Sequence, residues 1–424
     1  MDDSTLSADK NLLHWRQWVE PWYFTYFLQG AAVAGLIPIL LPLVVSRTGS
    51  AAHIGFVMAA FNLGGLTAPL WGGLSDRYRL HRLLLAGGLL AITLGLAMFS
   101  MTDRFISWIA LAFVQGTGAS GAATVANLFV VEVHPKSEWD ERIGWLQTFY
   151  GGGQVLGLLL AGGLSQIDLR FGLLVAAGMT AVAVLWGWVT TRKPEKPLKS
   201  RPILSQLPHH GEWIMLSPQR LFHHLNLSAL KQIDAGLRSS FGIFLLIWLV
   251  IFSGSIAVFS QYPVLMRKVF GVNPGISSAA FAVVVGLSLS FYAPAGLLAD
   301  RFGPIRVMRL GLGARLVAFA GLLTLAITHI TGQDWLAMAG FGIIVFAWTL
   351  LIISGTTLTA SLSPVGKGES LGIFNATNSL AGVTGAALGG WVADLWGYET
   401  ALGLPVIGLV VGLWLSLFLR TRND

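Results

Sequence analysis

Residues 72–82 read Gly72, Gly73, Leu74, Ser75, Asp76, Arg77, Tyr78, Arg79, Leu80, His81, Arg82, and residues 296–306 read Gly296, Leu297, Leu298, Ala299, Asp300, Arg301, Phe302, Gly303, Pro304, Ile305, Arg306. Both contain Gly-x-Leu-(Ser/Ala)-Asp-Arg-(Tyr/Phe), and the two copies stand 224 residues apart (300 − 76). Each lies where a long apolar run meets a cluster of arginines. The apolar runs recur at the same interval, so the chain reads as two copies of one membrane unit.

Composition points the same way. Of 424 residues, 54% are hydrophobic and 11% charged, with a mean hydropathy of +0.69, whereas a soluble domain is about a quarter charged. Such a chain belongs in lipid. Cysteine is absent, which excludes disulfides, thiolate metal sites and cysteine nucleophiles. The first twenty residues are polar, with Asp2, Asp3, Asp9 and Lys10, and lack the apolar stretch of a cleavable signal peptide.

A spanning helix needs about 20 apolar residues. Reading from charge to charge gives runs at 21–46, 48–75, 83–102, 105–131, 143–167 and 171–191, then at 239–266, 269–299, 310–333, 335–366, 370–393 and 400–419. The fold class expected is all-α and integral to the membrane, with twelve transmembrane helices in two six-helix halves. Only the run 310–333 carries a charge, Arg315, expected to snorkel to the interface.

The division expected is a cytoplasmic N-terminal segment 1–20, a first half 21–191, a linker 192–239, a second half 240–420 and a tail 421–424. With the N-terminus inside, the outer ends hold Arg47, Arg104, Arg170, Arg267 and Lys268, leaving 22 of the 27 basic residues inside. Both termini and the linker are therefore expected in the cytoplasm, in a plasma (inner) membrane. The net charge of +7 follows from this asymmetry against anionic lipid, so no nucleic-acid partner is needed.

The linker is rich in proline and basic residues. Leu230, Ile233 and Leu237 share one face of an expected surface helix near its end. The pairs His209-His210 and His223-His224 lack an accompanying carboxylate or thiol cluster and read as solvated loop histidines, so no metal and no cofactor is expected. A finer repeat pairs Gly162, Gly163 and Asp168 with Gly389, Gly390 and Asp394, as in transporters built from inverted repeats.

The duplicated loop motif resembles that of the major facilitator superfamily of secondary transporters, over roughly Trp22 to Arg420. Arg79 stands where that family usually has glycine. The resemblance implies alternating access, a small-molecule substrate, and a charge lock at the cytoplasmic face. The lock would be formed by Asp76, Arg77, Asp300 and Arg301, with Glu132 and Arg142 as neighbouring partners. Gly151, Gly152, Gly153 and Gly157 resemble a glycine-rich motif of drug antiporters. However, Leu158 replaces its proline, and Ala112 replaces the arginine of the fourth-span motif seen here as Gln115, Gly116 and Gly118. Close helix packing equally accounts for such glycine clusters.

The cavity that the resemblance implies would be lined by neutral groups. Those expected to bind substrate are Tyr26, Gln29, Asn127, Gln147, Tyr150 and Gln154 from the first half, and Gln261, Trp348, Asn375 and Asn378 from the second. Gln147, Tyr150 and Gln154 fall on one helical face at i, i+3 and i+7. A polar stripe on an apolar helix faces protein or water, so interhelical hydrogen bonding competes with substrate binding as its explanation.

The expectation is a monomeric secondary active transporter that exports a small neutral or amphipathic organic molecule, touching only its substrate, membrane lipid and protons. The protons would be carried by peripheral groups such as Glu132, Asp140, Glu141 or His53. Uptake or facilitated diffusion of a polar solute is an alternative, as is a non-transporting sensor or assembly factor on the same fold. An enzyme is not expected: the spans lack a metal set or an acid and base pair, and no Walker lysine motif is present.

Overall fold

The computed structural model describes residues 18–78, 80–191, 239–328, 330, 332–362 and 367–419, and those residues form helices joined by short turns. The apolar runs become α1 (Tyr23–Thr48), α2 (Ala51–Gly65, resuming as Ala68–Tyr78), α3 (His81–Met101), α4 (Phe105–Val133), α5 (Trp139–Ile167) and α6 (Leu169–Thr190). After the linker come α7 (Ser240–Phe259, resuming as Tyr262–Phe270), α8 (Pro274–Phe302), α9 (Pro304–Thr328), α10 (Gln333–Leu362), α11 (Lys367–Trp396) and α12 (Tyr398–Ala401, resuming as Gly403–Ser416). Ten of these are long and apolar enough to cross a membrane; α5 and α11 are as long but less apolar. The expected surface helix around Leu230 and the four linker histidines lie outside the described residues.

Local chemistry sets the helix ends. Asp168 caps α6 by accepting from the backbone N–H of Arg170 at 2.6 Å and of Phe171 at 3.1 Å, and these bonds hold its carboxyl below the usual carboxylate range. Asn273 caps α8 through the N–H of Gly275 at 2.8 Å. Gly303 ends α8 at φ 85°, a left-handed conformation that favours glycine. The second motif copy therefore closes one helix at Gly303 and opens the next at Pro304, where proline is tolerated in the first turn. His53 turns back on its own helix start, its Nδ1 accepting from the Ser50 N–H at 3.1 Å.

Glycine governs the packing. A Cβ added at Gly30, Gly153 or Gly157 would collide with the backbone of the facing helix in the α1/α5 pair, and one at Gly385 or Gly389 would do the same in the α7/α11 pair. One packing device thus recurs at equivalent positions of the two halves. The glycine clusters act here as close-approach surfaces between helices. Segment Ala31–Leu36 of α1 takes π geometry beside this contact.

Candidate functional site

The halves meet at one end of the bundle and separate toward the other. At the closed end, an added Cβ at Gly55 of α2 would lie 2.5 Å from the Ala386 carbonyl oxygen of α11. One at Gly162 of α5 would lie 2.9 Å from the Gly275 carbonyl oxygen of α8. Gln166 Nε2 donates to Asn273 Oδ1 across the same seam at 2.6 Å. Contact continues inward through Gly382 with Asn62, Gly65 with Ser379 at 3.0 Å and Gly151 with Leu289 at 3.0 Å. Beyond these positions a Cβ at Gly73, Gly144, Gly296 or Gly372 would meet nothing within 4 Å. The cleft between the halves opens at this far end, where the two motif copies lie.

In the first half the structure brings together four of the expected binding residues. The Tyr26 and Tyr150 rings lie 4.8 Å apart, and Gln147 Nε2 is 3.4 Å from Asn127 Oδ1. Gln29 is buried and donates to the Ala119 carbonyl at 3.1 Å, while its Oε1 has no partner among the described residues. Gln154 is half-buried.

The second half presents an aromatic wall. The Trp348 ring lies 5.3 Å from Phe252 in a stacked arrangement and 5.6 Å from Trp248, and Trp248 lies 4.7 Å from Phe374. Trp248 Nε1 donates to Asn378 Oδ1, so one expected residue is fixed by an aromatic neighbour that sequence reading passed over. Trp248, Phe252 and Phe374 sit in runs already apolar, where an aromatic carries no special signal. Asn375 is exposed. Gln261 is not part of this wall: it is buried at the break between the two pieces of α7, donating to the Ala257 carbonyl at 3.2 Å.

Arg315 does not snorkel. It is 2% exposed, donates from Nη2 to Ser255 Oγ at 2.7 Å, and stacks its guanidinium carbon 5.4 Å from the Trp348 ring. Its position on α9 turns it into the protein, toward α7 and α10. A run that is apolar on every face gives no sign of which side meets lipid.

At the far end, Asp300 and Arg301 are exposed and join no ion pair among the described residues, with the Arg301 guanidinium carbon 5.4 Å from the Phe302 ring. The side chains of Asp76 and Arg77 lie outside the described set. Glu132 pairs with His81 Nε2 at 2.5 Å, and His81 Nδ1 bonds Ser75 Oγ, so Glu132 meets the first motif copy through its histidine. Arg142 binds Glu138 at 2.8 Å and Glu20 at 3.3 Å, and Glu20 also meets His134 at 2.5 Å and Trp22 Nε1 at 2.9 Å. These bonds tie the ends of α1, α4 and α5 together. Among the described residues no group of three or more His, Asp or Glu could hold a metal ion.

Comparison with known proteins adds the relatives. The chain is 28% identical over 312 residues to the class C tetracycline resistance protein of Escherichia coli, covering 69% of this chain and 76% of that one. It is 24% identical over 420 residues to the multidrug resistance protein MdtG of Klebsiella pneumoniae strain 342, covering 96% and 94%. Among solved structures, a point mutant of the nucleoside transporter NupG superposes with a TM-score of 0.75 at 14% identity, covering 95% of this chain and 99% of that one. A bacterial homologue of the human lysosomal transporter Spinster, in an inward-facing and occupied conformation, gives 0.71 at 15%, covering 95% and 96%. The family model described as Major Facilitator Superfamily matches residues 22–366 and 243–424, and this chain belongs to that superfamily of multi-pass membrane transporters.

Proposed function

We propose that this transporter works by alternating access and exports a small neutral or amphipathic organic molecule from the cytoplasm. The observation that carries this reading is the cleft itself. It is sealed at the Gly55/Ala386 and Gln166/Asn273 end and open at the motif end. The basic asymmetry, with 21 of 27 residues on one side once the buried Arg315 is set apart, supports a cytoplasmic motif end, together with both termini and the linker 192–239. The cleft then faces the compartment from which an exporter loads.

The chemistry of the walls supports the substrate class. Tyr26, Asn127, Gln147 and Tyr150 offer neutral hydrogen-bonding groups, and the half-buried rings of Phe252 and Trp348, backed by the buried Trp248, suit an apolar body. The relatives named for tetracycline and multidrug resistance favour export over uptake. Protons are the proposed coupling ion.

The test uses everted vesicles from cells that express the full chain. The neutral amphipathic fluorescent probe N-phenyl-1-naphthylamine should accumulate inside them, and collapse of the proton gradient should stop the accumulation. Accumulation confined to right-side-out vesicles would reverse the direction proposed. Modification of a cysteine placed at Ser200 by an impermeant reagent from outside intact cells would overturn the topology.

A further inference from the structure

Arg315 stands eleven residues past Pro304 and thirteen before Thr328 on α9, on the order of 16 Å from the nearer end of that helix. In a hydrocarbon layer ~30 Å thick this is close to the midplane. A guanidinium there brings five N–H donors and a permanent charge. The structure gives it one hydroxyl acceptor, Ser255 Oγ, and two ring faces, Trp348 at 5.4 Å and Phe319 at 5.7 Å. Nε has no acceptor, and among the described residues no carboxylate pairs with the group.

Ring faces and a hydroxyl compensate a buried charge incompletely, since neither neutralises it. Charges kept within a membrane protein pair with another charge or serve a ligand. The neighbourhood says where a ligand would come from. Trp348, the ring that covers Arg315, is half-buried, and its other neighbours are Phe252 and Trp248 of the aromatic wall. Arg315 thus forms the layer directly behind that wall. A planar guanidinium accepts a carboxylate in a two-pronged geometry, and the aromatic wall accepts an apolar ring.

We propose that Arg315 is the anion-recognising group of the transport site. It would bind the carboxylate of an amphipathic aromatic acid whose apolar body packs against the half-buried rings of Trp348 and Phe252. This rests on the transporter reading above and, of the neutral and amphipathic molecules that reading admits, gives preference to amphipathic organic anions. A side-chain rotation of Trp348 brings the carboxylate to the guanidinium, where Nε and the edge now resting on the ring supply the donors.

The experiment compares naphthalene-2-carboxylate with its neutral isostere naphthalene-2-carboxamide, by equilibrium dialysis against the purified full chain in detergent and by flux in proteoliposomes. The carboxylate should bind about tenfold or more tightly than the amide, the scale of a hydrogen bond to a charged partner. Arg315→Met should bring that ratio to about one. Arg315→Lys, which keeps the charge and loses the fork, should reduce it severalfold. Equal binding of the two probes by the native chain, or a preference undiminished in Arg315→Met, would overturn the assignment. Should Arg315→Met not fold, the native comparison and Arg315→Lys decide between them: a preference that falls in Arg315→Lys supports the site, and an unchanged one overturns it. Flux keeps the two readings apart. Carboxylate-selective binding without movement of either probe leaves the anion site standing and removes the transport role, whereas equal flux of both probes does the reverse.

Discussion

A methyl group added at Gly153 would run into the Phe27 carbonyl, and one added at Gly385 into the Ser253 carbonyl. Backbone cannot step aside as a side chain can, so Gly153→Ala or Gly385→Ala is expected to destabilise the folded chain by about 1–3 kcal/mol. Gly321 on α9 is the internal control. An added Cβ there meets nothing within 4 Å, and Gly321→Ala should stabilise by up to about 1 kcal/mol, through helix propensity alone. Thermal unfolding in detergent reads both, and equal shifts for Gly153→Ala and Gly321→Ala would remove the close-approach account. The presence of these glycines was plain in the sequence, as was the charge of Arg315. What was not legible is which glycine touches which backbone and which way Arg315 points, because in lipid an inward face and an outward face are equally apolar. Polar residues were more informative: Tyr26, Asn127, Gln147 and Tyr150, which the family resemblance grouped, stand together, while Gln261, equally polar, sits at the break in α7.

Whole helices were legible from charge to charge, since lipid demands an apolar run and a charge ends it. Their interruptions were less so. The run 239–266 reads as one span, yet α7 breaks between Phe259 and Tyr262 and restarts with Pro263 in the first turn of the second piece. That proline was the available signal, because proline is tolerated at a helix start and disrupts an interior. Glu132, the expected partner of the motif's charges, meets His81 among the described residues, and Ser75 holds that histidine from its other ring nitrogen. His81 opens α3 and Glu132 lies in the last turn of α4, so the pair joins two consecutive helices at the motif end. A double-mutant cycle on His81→Ala and Glu132→Ala should return a coupling energy of about 1 kcal/mol in stability, within the range for residues in direct contact. Additive losses would mean that the pair contributes nothing beyond its separate members.

At the scale of the molecule, the register of the seam says how the other conformation is built. Along the antiparallel α2/α11 contact, Gly65 faces Ser379, and seven residues on from one and back from the other stand Gly72 and Gly372. Along α5/α8, Gly151 faces Leu289, and the same step leads to Gly144 and Gly296. Seven residues are about two helical turns, so Gly372, Gly144 and Gly296 lie on the faces of the contacts they extend, while Gly72 stands in the second piece of α2. Neither pair touches the opposite half now; closing the far end would bring each pair together, glycine against glycine, with no side chain to hold the helices apart. Rocking of the halves would then exchange one glycine-lined seam for the other, with Asp76 and Asp300 proposed to lock the second. The chain contains no cysteine, so engineered cysteine pairs report this directly. Gln166→Cys with Asn273→Cys should cross-link in the conformation described here, and Gly72→Cys with Gly372→Cys only in the alternate one. Adding Asp300→Asn should raise the first yield and lower the second, because loss of the lock favours the state open at the motif end. Simultaneous cross-linking of both pairs in single molecules would exclude the rocking motion, since the two seams could not then be alternatives.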